Sequence, residues 1–263
     1  MWWQGCSLAL LVVGCKSETP PPTRVDDPTA LVSPSGRTKS DTPFIDPDTD
    51  PPPPRSAAQL DPTALKAAVD AAQQALREAE IPRALVQLQK CINRTPPSAV
   101  CEGLYAATLL EQRKQRAWAR HYLHEAVTNA DASVPDELLR RLGRLAANNA
   151  RFEDATRAFE LLVGRGAPTA DDYADLAHAL QADESHKLQA VEVLEKAYAL
   201  APNRHDLLLE RATLTARHDR DGAIALFEQY KAAVAGDPTQ VEVAERRIAN
   251  LRAPGAVTKA PPI

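Results

Sequence analysis

The sequence predicts an all-α protein built as a stack of helical repeats. Residues 61–252 are rich in Ala, Leu, Arg and Glu and poor in Gly, and their apolar residues follow helical spacing without strand-like alternation. The same stretch is self-similar at a period near 34 residues, and proline-containing turns follow most of the repeats. These observations predict a superhelical solenoid of about five helix pairs, closed by a capping helix at 239–252.

Residues 1–14 have the layout of a lipoprotein signal peptide. The apolar stretch Ser7–Gly14 is too short to span a bilayer and is followed at once by Cys15. Val12-Val13-Gly14-Cys15 resembles the bacterial lipobox, which implies cleavage before Cys15 and lipidation of that residue, palmitate being a typical acyl group. The start, Met1–Gly5, carries no Lys or Arg, so the alternatives are an initiator further upstream or an apolar N-terminus with a chance cysteine.

A lipidated Cys15 predicts that the protein lies in the bacterial cell envelope. Two or more acyl chains hold a protein stably on a membrane. Lys16 follows the cysteine, and by resemblance to the sorting rule of enteric bacteria this favours the outer membrane, with the chain facing the periplasm.

Residues 15–60 are predicted to be a disordered, proline-rich linker. Residues 16–60 hold eleven of the 22 prolines, and their apolar residues are scattered. Such a segment buries too little surface to offset the entropy of ordering, and it favours polyproline II conformation. We expect it to give the domain reach, the alternative being a docking site for a proline-recognition module or the cell wall. The tail, 253–263, is also predicted to be disordered.

The cysteines are consistent with export. Cys6 would leave with the signal and Cys15 would be acylated, which leaves Cys91 and Cys101 as one pair. A disulfide between them fits an oxidising compartment. The alternative is two buried free thiols, whereas a metal site is disfavoured because two thiols ten positions apart lack the C-x-x-C spacing.

The repeat is defined by three positions on one helix face. A small residue is followed by a large apolar residue four positions later and by an apolar residue after three more. The small residues recur at intervals of 35, 36, 35 and 33, at Ala84, Ala119, Ala155, Ala190 and Ala223. The later positions are Leu88, Leu123, Phe159, Leu194 and Phe227, then Cys91, Ala126, Leu162, Ala197 and Tyr230.

At these positions the chain resembles the tetratricopeptide repeat (TPR) family of helix-pair proteins over about 62–236. The resemblance is clearest between Asp136 and Pro168, where Gly143 matches the small residue that lets the paired helices approach. The other signature matches in this copy are Leu139, Leu142, Phe152, Ala155, Phe159 and Leu162. An irregular helical bundle is the alternative.

The resemblance implies a peptide-binding groove lined by the first helix of each pair. Its groove positions fall on Glu137, Arg140 and Arg144 in the third copy and on His178 and Gln181 in the fourth. Further groove positions are Leu104, Thr108, Glu111, Ala147, Asp171 and Ala174.

Arg140, Arg141 and Arg144 form a basic cluster in a chain of net charge −4. Guanidinium groups bind carboxylates in a bidentate fork, so an acidic peptide or a C-terminal carboxylate is one expected ligand. A solvated arginine face is the alternative. The Lys and Asn set of the chaperone-type carboxylate clamp is absent from the sequence.

The sequence gives no sign of enzymatic chemistry. His121 and His124, with Glu125 beside them, lie one helical turn apart, but no third ligand that would complete a metal site is evident, so neither a metal site nor a cofactor is predicted. No phosphate-binding glycine loop or catalytic motif is found. We therefore expect no small-molecule substrate, and the acidic balance disfavours nucleic acid as a partner.

The function predicted from these features is that of a lipid-anchored scaffold that binds another envelope protein or a peptide segment. A narrower alternative is an assembly factor, since the chain resembles repeat lipoproteins that help to assemble outer-membrane β-barrels, and pilotins that serve secretins or type IV pili. The long proline-rich linker is a departure from those proteins.

Overall fold

The computed structural model describes residues 49, 50, 52, 56 and 61–253. The predicted signal, Cys15 and nearly all of the linker and tail lie outside these residues. Within the described residues the chain is all-helical, with no strand and a single 3₁₀ turn at Glu184–His186. The α-helices in chain order are α1 (Pro62–Arg77), α2 (Ile81–Leu88), α3 (Ala99–Glu111), α4 (Arg116–Thr128), α5 (Asp136–Asn148), α6 (Phe152–Gly164), α7 (Ala170–Leu180), α8 (Lys187–Leu200), α9 (His205–Thr215), α10 (Arg220–Ala233) and α11 (Pro238–Arg252).

Helices α1–α10 form five consecutive pairs, and α11 follows as the capping helix. Each odd-numbered helix packs on the even-numbered helix that follows it, and α11 packs on α10. We call the first helix of a pair the A helix and the second the B helix. Neighbouring pairs stack mainly through the B helix of one pair and the A helix of the next, as α6 does on α7 and α8 on α9. A-to-A contacts, as of α3 with α5 and α5 with α7, and the B-to-B contact of α4 with α6 add to this packing. The predicted solenoid of five pairs with a C-terminal cap is confirmed.

The core follows the three repeat positions predicted from the sequence. Each of the fifteen residues at these positions is buried, from Ala84 in the first pair to Tyr230 in the fifth. The B helices thus turn the same face toward the interior in every pair. The three buried positions recur once in each helix pair, so the period seen in the sequence is the spacing between successive pairs.

Gly143 marks the closest approach inside a pair. A methyl group added at its Cα would lie 2.7 Å from Cζ of Phe159, which is buried in the partner helix α6. Two heavy atoms cannot sit so close, so only glycine lets α5 and α6 pack at this distance. The family signature at these two positions therefore has a direct physical reason.

In the first three pairs, the turn from the A helix to the B helix has a left-handed residue at the same place. Ala79, Arg113 and Ala150 each lie two residues beyond the end of an A helix and have φ of 58°, 55° and 57°. This left-handed conformation commonly ends helices, usually at glycine. In the fourth pair the 3₁₀ turn at Glu184–His186 lengthens the connection between α7 and α8.

Cys91 and Cys101 are joined by a disulfide bond in the structure. Their Cα atoms are 6.2 Å apart, within the ordinary range for a disulfide, and both residues are buried. The bond links the chain just after α2 to the first turn of α3. It therefore ties the first helix pair to the second.

Candidate functional site

The predicted groove residues lie on the A helices of the third and fourth pairs. Glu137 is 88% exposed, and Arg144 follows it two turns later on α5. His178 is exposed on α7, and Gln181 is the C-cap residue that follows that helix. We call the solvent-facing side of α5, α7 and α9 the A-helix surface. The geometry thus places these residues on neighbouring helices of one stack.

Arg140 is used to bind α5 to α7. Its guanidinium donates two hydrogen bonds to the carboxylate of Asp172, from Nε to Oδ1 at 2.6 Å and from Nη2 to Oδ2 at 3.1 Å. The Asp172 side chain is only 1% exposed, and it also accepts bonds from the backbone N–H and hydroxyl of Thr169 in a capping box. This ion pair is therefore part of the packing between two A helices.

The electrostatics of Asp172 reflect these contacts. Burial by itself raises the pKa of a carboxyl group, because it disfavours the charged form. The hydrogen bonds from Arg140 and Thr169 outweigh that effect, and the pKa of Asp172 lies below its ordinary value. Asp172 is consequently the carboxylate that most clearly depends on the packed state of α5 and α7.

The other two arginines of the predicted basic cluster are also paired. Arg141 donates to both carboxylate oxygens of Glu111 on α3, at 2.6 and 2.5 Å. Arg144 donates from Nε to Oδ2 of Asp175 on α7 at 2.8 Å. The three arginines thus point to acidic residues on the preceding and following A helices. Each of the three arginines has an intramolecular carboxylate partner, with which an acidic ligand would have to compete.

The pattern continues toward the fifth pair and forms a ladder of polar contacts between A helices. Arg204, just before α9, binds Asp171 of α7 at 2.8 Å, and Gln181 donates to Glu210 of α9 at 2.5 Å. The partners in this ladder are separated by 29–33 residues, which is close to one repeat. We call this set of contacts the inter-repeat ladder.

The acidic partners Asp172, Asp175 and Glu210 were not predicted from the sequence, and Glu111 and Asp171 were predicted as groove positions and not as partners of arginines. The signal that could have revealed the pairing is the spacing, since Asp172 follows Arg140 by 32 residues and Asp175 follows Arg144 by 31. Residues one repeat apart face each other across neighbouring A helices, so opposite charges at that separation predict an ion pair.

The chain matches no protein-family profile and no curated protein sequence. Its fold superposes on the solved structure of MamA from strain AMB-1 with a TM-score of 0.51, at 12% identity, over 70% of this chain and 98% of that one. Lower scores are found for PilF of Pseudomonas aeruginosa (TM-score 0.43, 19% identity, 72% and 89% covered) and for the C-terminal part of a TPR repeat-containing protein of Cytophaga hutchinsonii (0.34, 15%, 73% and 97%).

The fold is that of a TPR solenoid. The first of these likenesses, together with the buried signature residues in each helix pair, supports that assignment, and at such low identity the likeness concerns the fold alone.

The groove positions of the second helix pair differ in exposure from those of the third and fourth pairs. Leu104 and Thr108 on α3 are buried, whereas Arg144 and His178 at corresponding places are exposed.

The remaining candidate residues have other partners. Nδ1 of His124 lies 2.7 Å from Oδ1 of Asp154, and the same carboxylate receives a bond from Arg151. Over residues 61–253 and the four described positions before them, no group of three or more His, Cys, Asp or Glu side chains is arranged to hold a metal ion. No helix in this part of the chain has the length and apolar character needed to cross a bilayer.

Proposed function

We propose that this chain is a protein-interaction scaffold of the bacterial cell envelope that binds a polypeptide segment on its A-helix surface. The observation that carries the proposal is the exposure of Glu137, Arg144 and His178 on helices whose other faces are fixed by the core and by the inter-repeat ladder. Side chains that project from rigid elements are suited to recognition because little freedom is lost when they bind. A stack of such helices presents an extended surface, which suits a segment of polypeptide chain.

The inter-repeat ladder determines which arginine an acidic partner would bind. The Arg140 side chain is 24% exposed and is held by a buried carboxylate, so an acidic segment would gain little there. Arg144 is 54% exposed and its partner Asp175 is 31% exposed, so water already competes for this pair. An acidic side chain of a partner would therefore exchange with Asp175 at Arg144 and leave Arg140 in place.

The membrane tether is part of the same proposal. Cys15 lies outside the described residues, and its lipidation rests on the sequence pattern alone. We expect the full chain to fractionate with membranes and Cys15→Ala to be released, measured by fractionation and by mass spectrometry of the N-terminal peptide. Equal membrane association of both forms would contradict the anchor while leaving the groove proposal intact.

Site-specific photo-crosslinking tests the groove. A photo-reactive residue placed at His178 in the full chain should give a discrete crosslinked product in native envelopes. The same residue at Lys196, which is exposed on the B helix α8, is the matched control. Products of equal yield and identity at both positions would contradict partner binding on the A-helix surface. Nothing in residues 61–253 favours the assembly-factor alternative over the general scaffold, so that alternative stays a prediction.

A further inference from the structure

Positive charge is concentrated at the turn between α3 and α4. Residues 112–124 contain four Arg or Lys residues and no Asp or Glu, in a chain whose net charge is −4. Arg113 and Lys114 lie in the turn, Arg120 lies at the start of the second turn of α4, and all three are exposed. We call these three residues the basic patch. The fourth cation, Arg116, is exposed on the first turn of the same helix.

The charges of the basic patch are not neutralised within the domain. In the part of the chain that the structure describes, no carboxylate forms an ion pair with Arg113, Lys114 or Arg120. Glu111, at the end of α3, directly precedes this region, but its carboxylate accepts two hydrogen bonds from Arg141 at 2.6 and 2.5 Å. The patch is therefore available to an anion from outside the domain.

The corresponding turns of other helix pairs balance their basic residues. At the start of the B helix in the first, third and fourth pairs, a basic residue has an acidic partner three positions away. These ion pairs are Arg83 with Glu80, Arg151 with Asp154, and Lys187 with Glu184. Arg113 also occupies the left-handed turn position that alanine holds in the first and third pairs. The excess charge is thus specific to the second pair and is not required by the geometry of the turn.

The arrangement of the patch suits a surface of phosphate groups. Its side chains are long and flexible, and they are distributed along a turn and the side of a helix, so they spread charge over an area. The N-terminal end of α4 adds to the positive potential there. Clusters of Lys and Arg are attracted to anionic lipids, and each residue near the bilayer strengthens binding about fivefold. A bilayer can meet all of these charges at once, whereas a single acidic side chain meets one.

We propose that the basic patch binds the phosphate headgroups of an anionic bilayer. With a lipidated Cys15, it would give the chain a second attachment to the membrane, and acyl chains combined with basic residues make anchoring stable. That setting rests on the proposed function, whereas the attraction of the patch to anionic lipid does not. None of the three residues belongs to the A-helix surface, so the membrane and a polypeptide partner would bind different residues.

Vesicle sedimentation tests the proposal on the full chain carrying Cys15→Ala, which removes the acylation site. At low salt this chain should bind vesicles of phosphatidylglycerol more strongly than vesicles of phosphatidylcholine. Adding Arg113→Gln, Lys114→Gln and Arg120→Gln should weaken binding to phosphatidylglycerol about 100-fold, which is about fivefold for each charge. Raising the salt to about 1 M, where the screening length is about 3 Å, should remove the preference.

A second triple variant controls for net charge. Arg77→Gln, Lys90→Gln and Lys196→Gln remove the same number of charges from exposed residues elsewhere, and this variant should bind phosphatidylglycerol as the parent does. Equal binding by the parent and the basic-patch variant, or an equal loss in both triple variants, would overturn the proposal. Neither acylation nor a groove partner enters this measurement, so its failure is distinct from failure of the proposed function.

Crosslinking in native envelopes checks the class of partner. A photo-reactive residue at Gln112, which is exposed beside the patch, should form lipid adducts in the full chain, detected by mass spectrometry of the modified peptide. Absence of lipid adducts, or a discrete protein product in their place, would overturn the assignment to lipid. A protein product would instead favour an acidic protein as the partner of the patch.

Discussion

Arg140 and Arg144 lie one turn apart on α5 and both bind aspartates of α7, yet their surroundings differ. Asp172 is buried beneath Arg140, while Asp175 is partly open to water beside Arg144. Removing one partner of a buried pair leaves a charge without compensation, whereas exposed pairs contribute little. The same residue type therefore has a structural role at one position and is available for binding at the other.

We expect Arg140→Gln to lower the free energy of unfolding by about 3 kcal/mol, because Asp172 keeps only the Thr169 hydrogen bonds. Arg144→Gln should cost less than about 1 kcal/mol. Urea denaturation followed by circular dichroism measures both. Similar losses from the two variants would mean that burial of Asp172 does not govern the contribution of its ion pair.

Stability should also depend on the ionisation of Asp172. Its pKa is lower in the folded protein than in the unfolded chain, so its contribution is fully present above its ordinary value of about 4 and is lost as pH falls through the lower folded pKa. Thermal melts should therefore show a decline in stability below about pH 4, and Asp172→Asn should be less sensitive to acid over that range. An identical acid dependence in the variant and the parent would count against this assignment.

The close packing at Gly143 can be tested by adding one methyl group there and at a second glycine that has open space around it. Gly143→Ala places a methyl group against the Phe159 ring, while the same substitution at Gly164 in α6 meets nothing within 4 Å. Gly164 is the last residue of α6, so it serves as a control for the substitution where no side chain is met. Gly143→Ala should be the less stable by about 1–3 kcal/mol, which is the usual cost of overpacking. Equal melting temperatures would show that α5 and α6 can move apart freely.

At the scale of elements, the recurring A-to-B turn determines how each pair folds back on itself. Ala79, Arg113 and Ala150 adopt left-handed backbone conformations in three successive pairs, although none of them is glycine. A side chain in this region costs about 1–2 kcal/mol because Cβ crowds the following carbonyl group. The conformation persists because the core fixes both helices on either side of the turn.

Ala150→Gly should therefore raise the free energy of unfolding, by about 1 kcal/mol. Ala199→Gly is the control, since Ala199 is exposed within α8 and glycine in a helix costs about 1 kcal/mol. Chemical denaturation of the two variants should give shifts of opposite sign. Destabilisation by Ala150→Gly would imply that greater freedom of the unfolded chain outweighs the relief of strain.

For the whole molecule, the sequence predicted the features that depend on local spacing. The positions from Ala84 to Tyr230 were assigned correctly because burial in a solenoid recurs with the repeat and can be read within one helix. The pairing of Arg140 with Asp172 was missed because it depends on how two A helices face each other. Ser56 exchanges hydrogen bonds with Asn93 and Thr95, and these were missed for a related reason, since both partners lie almost 40 residues further along the chain.

The inter-repeat ladder has a consequence for modularity. Helix pairs can be exchanged along a solenoid only if the A helix of each pair can pack against the A helix of any other pair. Here α5 carries an arginine whose partner is present on α7 and not on α9. The third residue of α7 is Asp172, whereas the third residue of α9 is Leu207. Excising the fourth unit would set the Arg140 charge against leucine. The order of the units is thus encoded electrostatically, and this chain could gain or lose a module only together with compensating changes in the modules beside it.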